Sequence, residues 1–381
     1  MSPKSERILV RGVNWLGDAV MTTPALLRLR QARPDAHITL LTHEKLSDLW
    51  LNHPAVDAVL TFAAGETIWS VAKKLGAANF QIGLILPDSH RSALELRLAR
   101  IPQRIGYAPS LRRFLLTQPV EPGAGFVRMR KRSVGEIRRR AAPAPPDATR
   151  DRPNAPPPAA HHLHRYLRLV AALGANPEPL PPFLAVTDGE VAAVKQKFSL
   201  AGDALWFGLN PGAEYGPAKR WPHERFIAVA LEAQRRLHCR WLIFGGPADV
   251  PLAADILNSL HRTFPSAPPL NLAGRTTLRE LCALLKLSRV LLTNDTGPMH
   301  VAAAVGTPVV AIFGSTSPEL TAPGSPNDPR HRLFKSDAPC SPCFRRVCPI
   351  DFRCMKGIET EPVIAAVLDA AGPHRPAGNS L

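Results

Sequence analysis

The first chemistry in the chain lies in residues 210–222, NPGAEYGPAKRWP, where small residues let the backbone approach a ligand and two adjacent cations follow. Lys219 and Arg220 would neutralise a diphosphate, with Asn210 and Gly212 lining its approach. Pro222 is set to open a helix, whose unpaired N–H groups and partial positive charge favour the same anion. A Gly-Pro turn with solvated cations is the alternative. Residues 293–308, TNDTGPMHVAAAVGTP, offer a second turn of this kind, in which the Thr296 hydroxyl and the amides from Gly297 onward can meet a phosphate. Asp295 is acceptor-only and would repel phosphate unless it orients His300 or caps the helix. His300 could donate to a phosphate or sugar oxygen, or pack as a core residue.

Residues 12–18, GVNWLGD, space Gly12 and Gly17 like a phosphate loop but put Asp18 where such a loop carries Lys. A carboxylate at a helix N-terminus is held ionised by the helix dipole. It binds phosphate poorly, yet it is a usable general base toward a hydroxyl, or else an ordinary N-terminal helix carboxylate. Cys340, Cys343, Cys348 and Cys354 form a compact set whose spacing fits four ligands of a structural zinc or an iron–sulfur centre, with free or redox-labile thiols as the alternative.

Elements must hold these groups in place. The first hundred residues alternate short apolar runs with helical patterns, which predicts βα units around a parallel sheet. Strands are expected at 8–11, 37–42, 56–60 and 81–86, with helices over 18–31, from about 44, at 66–75 and at 90–100. Past Gly106 the pattern loosens. Residues 141–160 hold seven prolines and read as a disordered surface insertion, part of an Arg- and Pro-rich stretch of about 126–160. A helix at 161–173 and a Pro-rich linker at 177–182 follow. The rhythm then restarts with strands at 204–209, 240–244, 290–293 and 308–313. The turns 210–215, 245–249, 294–297 and 314–317 come after these strands, so they gather at the carboxyl ends where open α/β sheets bind ligands. The expected organisation is α/β, with Rossmann-like domains at 1–180 and 181–370 whose parallel sheets face a central cleft.

A chain of 381 residues exceeds what one core organises. No apolar run approaches the roughly 20 residues of a membrane-spanning helix, and the N-terminus lacks a signal-peptide hydrophobic region. The net charge of +16 implies an anionic partner. Much of it is local, because residues 91–140 carry twelve Arg and Lys131 against Glu95, Glu121 and Glu136. Such a stretch suits phosphates on a membrane, a phosphorylated lipid or nucleic acid, or is a solvated face. The Arg excess lacks the interleaved aromatics that stack bases, which argues against nucleic acid. Six cysteines do not suggest a disulfide framework, and Cys239 and Cys282 lie in core-like runs.

Together, GVNWLGDAVMTTPAL at 12–26, RIGYAPSLRRFLLT at 104–117, NPGAEYGPAKRWP at 210–222, FGGPAD at 244–249 and NDTGPMHVAAA at 294–304 resemble the ADP-heptose:lipopolysaccharide heptosyltransferases of glycosyltransferase family 9. The likeness spans almost the whole chain, and residues 210–222 look closest to the heptosyltransferase II branch. The resemblance implies the GT-B architecture and inverting transfer of heptose from ADP-heptose to the heptosyl-Kdo2-lipid A inner core. It implies Asp18 as catalytic base, beside Gly17, and Lys219 with Arg220 on the ADP diphosphate. Asp295, Thr296, Gly297 and His300 would line the donor pocket, and Asp249 would meet the adenosine ribose. It implies no cofactor for catalysis, a metal at the four cysteines being structural if present. The expected setting is cytoplasmic, peripheral at the inner membrane of a Gram-negative bacterium. A nucleotide-sugar epimerase or hydrolase and a non-catalytic nucleotide-binding module are the alternatives. The stretch at 126–160 and the four-cysteine segment depart from the family pattern.

Overall fold

A computed structural model describes residues 6–142, 156–200 and 204–372. Among them, twelve strands build two parallel six-stranded sheets. The first contains β1 Arg7–Arg11, β2 His37–His43, β3 Ala58–Phe62, β4 Ile82–Ile85, β5 Gln103–Tyr107 and β6 Gln118–Val120, in the order β3-β2-β1-β4-β5-β6. The second contains β7 Trp206–Asn210, β8 Arg240–Ile243, β9 Leu270–Asn271, β10 Leu291–Asn294, β11 Val309–Phe313 and β12 Arg332–Lys335, in the order β12-β11-β10-β7-β8-β9. Both are the doubly wound order of a Rossmann fold. The strand order reverses between β1 and β4 and again between β7 and β10, and a crevice opens at such a switch point beyond the strands' carboxyl ends. Central strands such as β11 are buried along their whole length, as expected for strands covered by helices on both faces.

The chain separates into two compact units, Met1–Phe126 with Ala159–Ala185, and Val127–Pro158 with Val186–Leu381. Phe207 meets Trp241 edge-on, with ring centroids 5.3 Å apart, in the core of the second. Leu9, Leu41, Ile85 and Leu96 anchor the core of the first. Cys239 and Cys282 are buried as expected.

Three expectations are corrected. The helix expected over 18–31 is two helices, Leu16–Met21 and Thr23–Ala32. Pro24 has no N–H to continue the ladder, and the hydroxyls of Thr22 and Thr23 instead take the carbonyls of Ala19 at 2.6 Å and Val20 at 2.8 Å. The stretch from 126 to 142 is ordered rather than disordered. Val134–Ala141 is a helix capped by Ser133, and Ile137 is buried against Cys340 and Cys343. Arg132 N donates to the Cys343 carbonyl at 3.0 Å, and Arg353 donates to the Ala141 carbonyl at 2.7 Å. Residues 143–155 lie outside the described residues. The Arg-rich stretch 91–140 is shared between the two units, and its arginines are not all free surface cations. Arg112 is fully buried and Arg91 pairs with Glu95, while Arg130, Arg132 and Arg140 gather on Glu136.

Two histidines tie stability to pH. Burial lowers His53 and His331 to about 4, in the second case against the pull of Asp328. Each Nδ1 accepts a backbone N–H, from Ala55 at 3.3 Å and from Val309 at 3.2 Å, which requires the neutral ring. The unfolded rings protonate near 6.5, so this contribution is complete above that pH and is lost as pH falls toward 4, by roughly 3 kcal/mol per ring. Urea midpoints should therefore fall from neutral pH to pH 4, and His53→Gln or His331→Gln should flatten the fall; an unchanged slope in both variants contradicts the assignment.

Candidate functional site

At the switch point of the second unit, the loop after β7 is laced to the turn after β10. Asn210, ending β7, donates to the hydroxyls of Thr293 and Thr296, both at 3.1 Å. Asn294, ending β10, donates to the carbonyls of Pro211 at 2.7 Å and Gly212 at 3.3 Å, and accepts from Trp221 N at 3.0 Å. One amide side chain thus holds both ends of the 210–221 loop. Trp221 is buried, donates to the Ile358 carbonyl at 3.1 Å and packs edge-on against Phe226 before the helix His223–Leu237 begins.

Each cation of the loop has a carboxylate partner. Lys219 Nζ lies 2.6 Å from Asp295 Oδ2 and 3.3 Å from the Asp295 carbonyl, and Thr316 donates to the same carboxylate oxygen at 2.6 Å. The Lys219 side chain is 14% exposed and that of Asp295 5%, so the pair is shielded enough for the contact to matter. Asp295 does not precede the helix as its cap, a position that Thr296 holds; its carboxylate pairs with Lys219. Arg220 Nη2 sits 3.2 Å from Asp249 Oδ1, and Asp249 Oδ2 accepts from Gly246 N at 3.1 Å. A diphosphate entering here would share both cations with their carboxylates. The helix Gly297–Ala304 starts beside them, with Thr296 preceding it and buried His300 one turn along.

Two glycines are required by space. A Cβ on Gly212 would stand 2.4 Å from the Asp249 carboxylate. Gly216, at φ +143°, would bring a Cβ to 2.5 Å from the Arg346 carbonyl. Gly212→Ala is expected to push Asp249 off Arg220, costing about 1–3 kcal/mol of stability. A thermal melt checks this, and a variant that melts like the parent contradicts it.

In the first unit, Gly17 and Asp18 are the second and third residues of the helix Leu16–Met21 that follows β1. Arg11, ending β1, pairs with buried Glu95 at 2.9 Å, stacks 4.3 Å over Phe62, and donates to the Gly12 carbonyl and to Asn14 Oδ1 at 3.2 Å. Burial lowers the Arg11 pKa and Glu95 opposes that, so the guanidinium is a charged peg under the loop. Burial, reinforced by the charge of Asp18, raises the Tyr166 phenol well above its ordinary value, which keeps a protonated hydroxyl near Asp18.

Of the two readings of the four cysteines, the structure gives no support to the metal site. Among the described residues no three His, Cys, Asp or Glu side chains are placed to hold a metal ion. Cys340 and Cys343 pack with Ile137, Cys354 joins the main core of the second unit, and Cys348 Sγ accepts from Phe352 N at 3.3 Å. Burial, reinforced by the neighbouring thiols, pushes the Cys354 thiol up to about 12 and raises Cys340 and Cys343. The segment braces the cationic loop instead. Tyr215 donates to the Phe344 carbonyl at 2.8 Å and Ala218 N to the Arg346 carbonyl at 3.0 Å. Lys219 and Arg346 both lie about 5 Å from the Tyr215 ring.

Asn294, Thr316, Tyr215 and Arg346 were not singled out by residue type. Asn294 stands inside the NDTG motif and Thr316 in the 314–317 turn, so position carried a signal for these two. Nothing local marks Arg346.

Residues 146–352 match the family model of glycosyltransferase family 9 (heptosyltransferase). The lipopolysaccharide heptosyltransferase 2 of Escherichia coli (strain K12) is 31% identical over 331 residues, covering 83% of this chain and 85% of that protein. The chain belongs to glycosyltransferase family 9. Another family 9 relative, the lipooligosaccharide heptosyltransferase 2 of Haemophilus influenzae (strain ATCC 51907 / DSM 11121 / KW20 / Rd), is 28% identical over 87% of this chain and 89% of its own length. The solved structure of the Escherichia coli ADP-heptose lipopolysaccharide heptosyltransferase II superposes with a TM-score of 0.74 at 26% identity, covering 96% of this chain and 98% of that one. The family 9 chain is thus a glycosyltransferase on a pair of Rossmann-like units, and no helix among its described residues is long and apolar enough to cross a membrane.

Proposed function

We propose that the chain transfers a heptosyl group from ADP-heptose to the heptosyl-Kdo2-lipid A inner core of lipopolysaccharide, with inversion at the anomeric carbon. The observation that carries this is the Lys219–Asp295 pair at the β7/β10 switch point in a family 9 chain. The donor diphosphate meets Lys219 and Arg220, and the N–H groups that open the helix Gly297–Ala304 face it. Asp249 and Asp295 position the two cations, and His300 lies one turn along toward the sugar. As the glycosidic bond to ADP breaks, charge grows on the leaving phosphate. Lys219 stabilises that charge because it is already in place.

Asp18 removes the proton from the acceptor hydroxyl as that oxygen bonds to heptose C1, and the pair of electrons of the broken bond leaves with ADP. Charge stabilisation by side chains and helix amides needs no metal, and the acceptor, being a lipid, implies work at the cytoplasmic face of the inner membrane of a Gram-negative bacterium. Incubation with ADP-heptose and defined truncated lipopolysaccharide acceptors tests the reading by product mass. One added heptose, formed equally with excess EDTA, is expected. Turnover of ADP-heptose without acceptor would favour the epimerase or hydrolase alternative, and EDTA-sensitive transfer restored by a divalent cation would overturn the metal-free mechanism.

A further inference from the structure

We propose that the 3₁₀ helix Ser110–Leu115 is a bilayer-insertion knob that seats the first unit on a membrane carrying anionic headgroups. This rests on the reading that the acceptor is a membrane lipid, and it assigns the contact to particular residues.

The element follows β5, and one residue sets its orientation. Arg112 is fully buried and donates to the carbonyls of Tyr107 and, at 2.7 Å, Pro87. With Arg112 turned inward, Leu111 and Phe114 are turned outward, each 73% exposed. Residues three apart on a 3₁₀ helix lie one above the other, so these two make a single apolar point. Hydrophobes this exposed and adjacent are unusual on a surface meant only for water.

The surroundings are cationic. Arg97 donates to the Phe114 carbonyl at 2.8 Å and Arg104 to the Leu115 carbonyl at 2.9 Å, so two guanidinium groups hold the base of the knob. They stand close enough that Arg97 adds to the burial that lowers Arg104. Arg113 lies between the apolar pair in sequence, and its exposed guanidinium pairs with the likewise exposed Glu121 at 3.6 Å, a contact that a bilayer phosphate can replace. An apolar tip ringed by arginines complements a bilayer, where acyl chains take Leu111 and Phe114 while phosphates take the cations. This surface also replaces the divided 91–140 stretch as the means of docking.

The test is co-sedimentation with phosphatidylcholine vesicles, with and without phosphatidylglycerol. The parent should prefer the anionic vesicles. Leu111→Ser/Phe114→Ser should lower that partition ~10- to 100-fold, and Arg113→Gln about fivefold, while melting temperature and transfer to a deacylated, water-soluble inner-core acceptor stay at parental values. Unchanged partition of the double variant, or equal parental binding to neutral vesicles, overturns the proposal. So does loss of transfer to the soluble acceptor with partition intact, which would make the knob an acceptor contact. A parent dimer that the double variant dissociates, with no change on vesicles, would assign the knob to a second copy instead. The vesicle arm needs no turnover, so knob-dependent partition in a chain that transfers no heptose would fault the functional reading and leave the knob standing.

Discussion

Asp18→Ala is expected to lower the rate of heptosyl transfer by ~10²–10⁴-fold, the range a positioned general base contributes, while ADP affinity stays at the parental value. Asp18 is half-buried in the first turn of the helix Leu16–Met21. Its loop is held from below by the Arg11–Glu95 pair, so the carboxylate has little freedom to be replaced by a neighbour. In this reading Asp18 serves the acceptor and not ADP, which is why binding and turnover should separate. Asp18→Asn keeps the shape but not the basicity, and should lose as much rate as the alanine. Product formation by mass spectrometry and calorimetry with ADP measure the two quantities. Turnover retained in both variants removes Asp18 from the role of base.

Lys219→Ala is expected to cost ~10²–10³-fold in turnover, the usual penalty for losing one preorganised charge stabiliser, and to weaken ADP binding as well. The coupling of the two effects distinguishes it from Asp18, since the ammonium serves the diphosphate both before and during departure. The substitution also strands Asp295, whose carboxylate is 5% exposed and would keep only the Thr316 hydroxyl among its present side-chain partners. A stability loss of a few kcal/mol follows from an uncompensated buried charge. Lys219→Met/Asp295→Asn removes that complication, because the pair is neutralised together. If this double variant melts like the parent yet binds ADP normally by calorimetry, Lys219 has no phosphate role.

The sequence by itself determined the α/β organisation and the central strands, because a strand covered by helices on both sides must be apolar along its length. It also marked residues 12–18, 210–222 and 294–304, since loops that approach ligands need glycine, proline and charge at fixed spacing. The strands it missed are β5 and the short or polar β6, β9 and β12. Gln118–Val120 carries Pro119 at the edge of its sheet and Arg332–Lys335 is largely exposed, and an edge strand needs no continuous hydrophobic run.

Only the tertiary structure decided how the charged residues divide their work. Lys219 and Asp295 are 76 positions apart, and Arg220 and Asp249 are 29 apart. No periodicity joins such residues; the β7/β10 pairing does. The same holds for the cysteines, whose spacing fits a metal site while packing places Cys340 and Cys343 against Ile137 and Cys354 in the main core of the second unit. It holds for Arg112 as well, one arginine among twelve in residues 91–140, which lies inside the first unit. Composition counts its charge, but burial and two backbone carbonyls decide what that charge does.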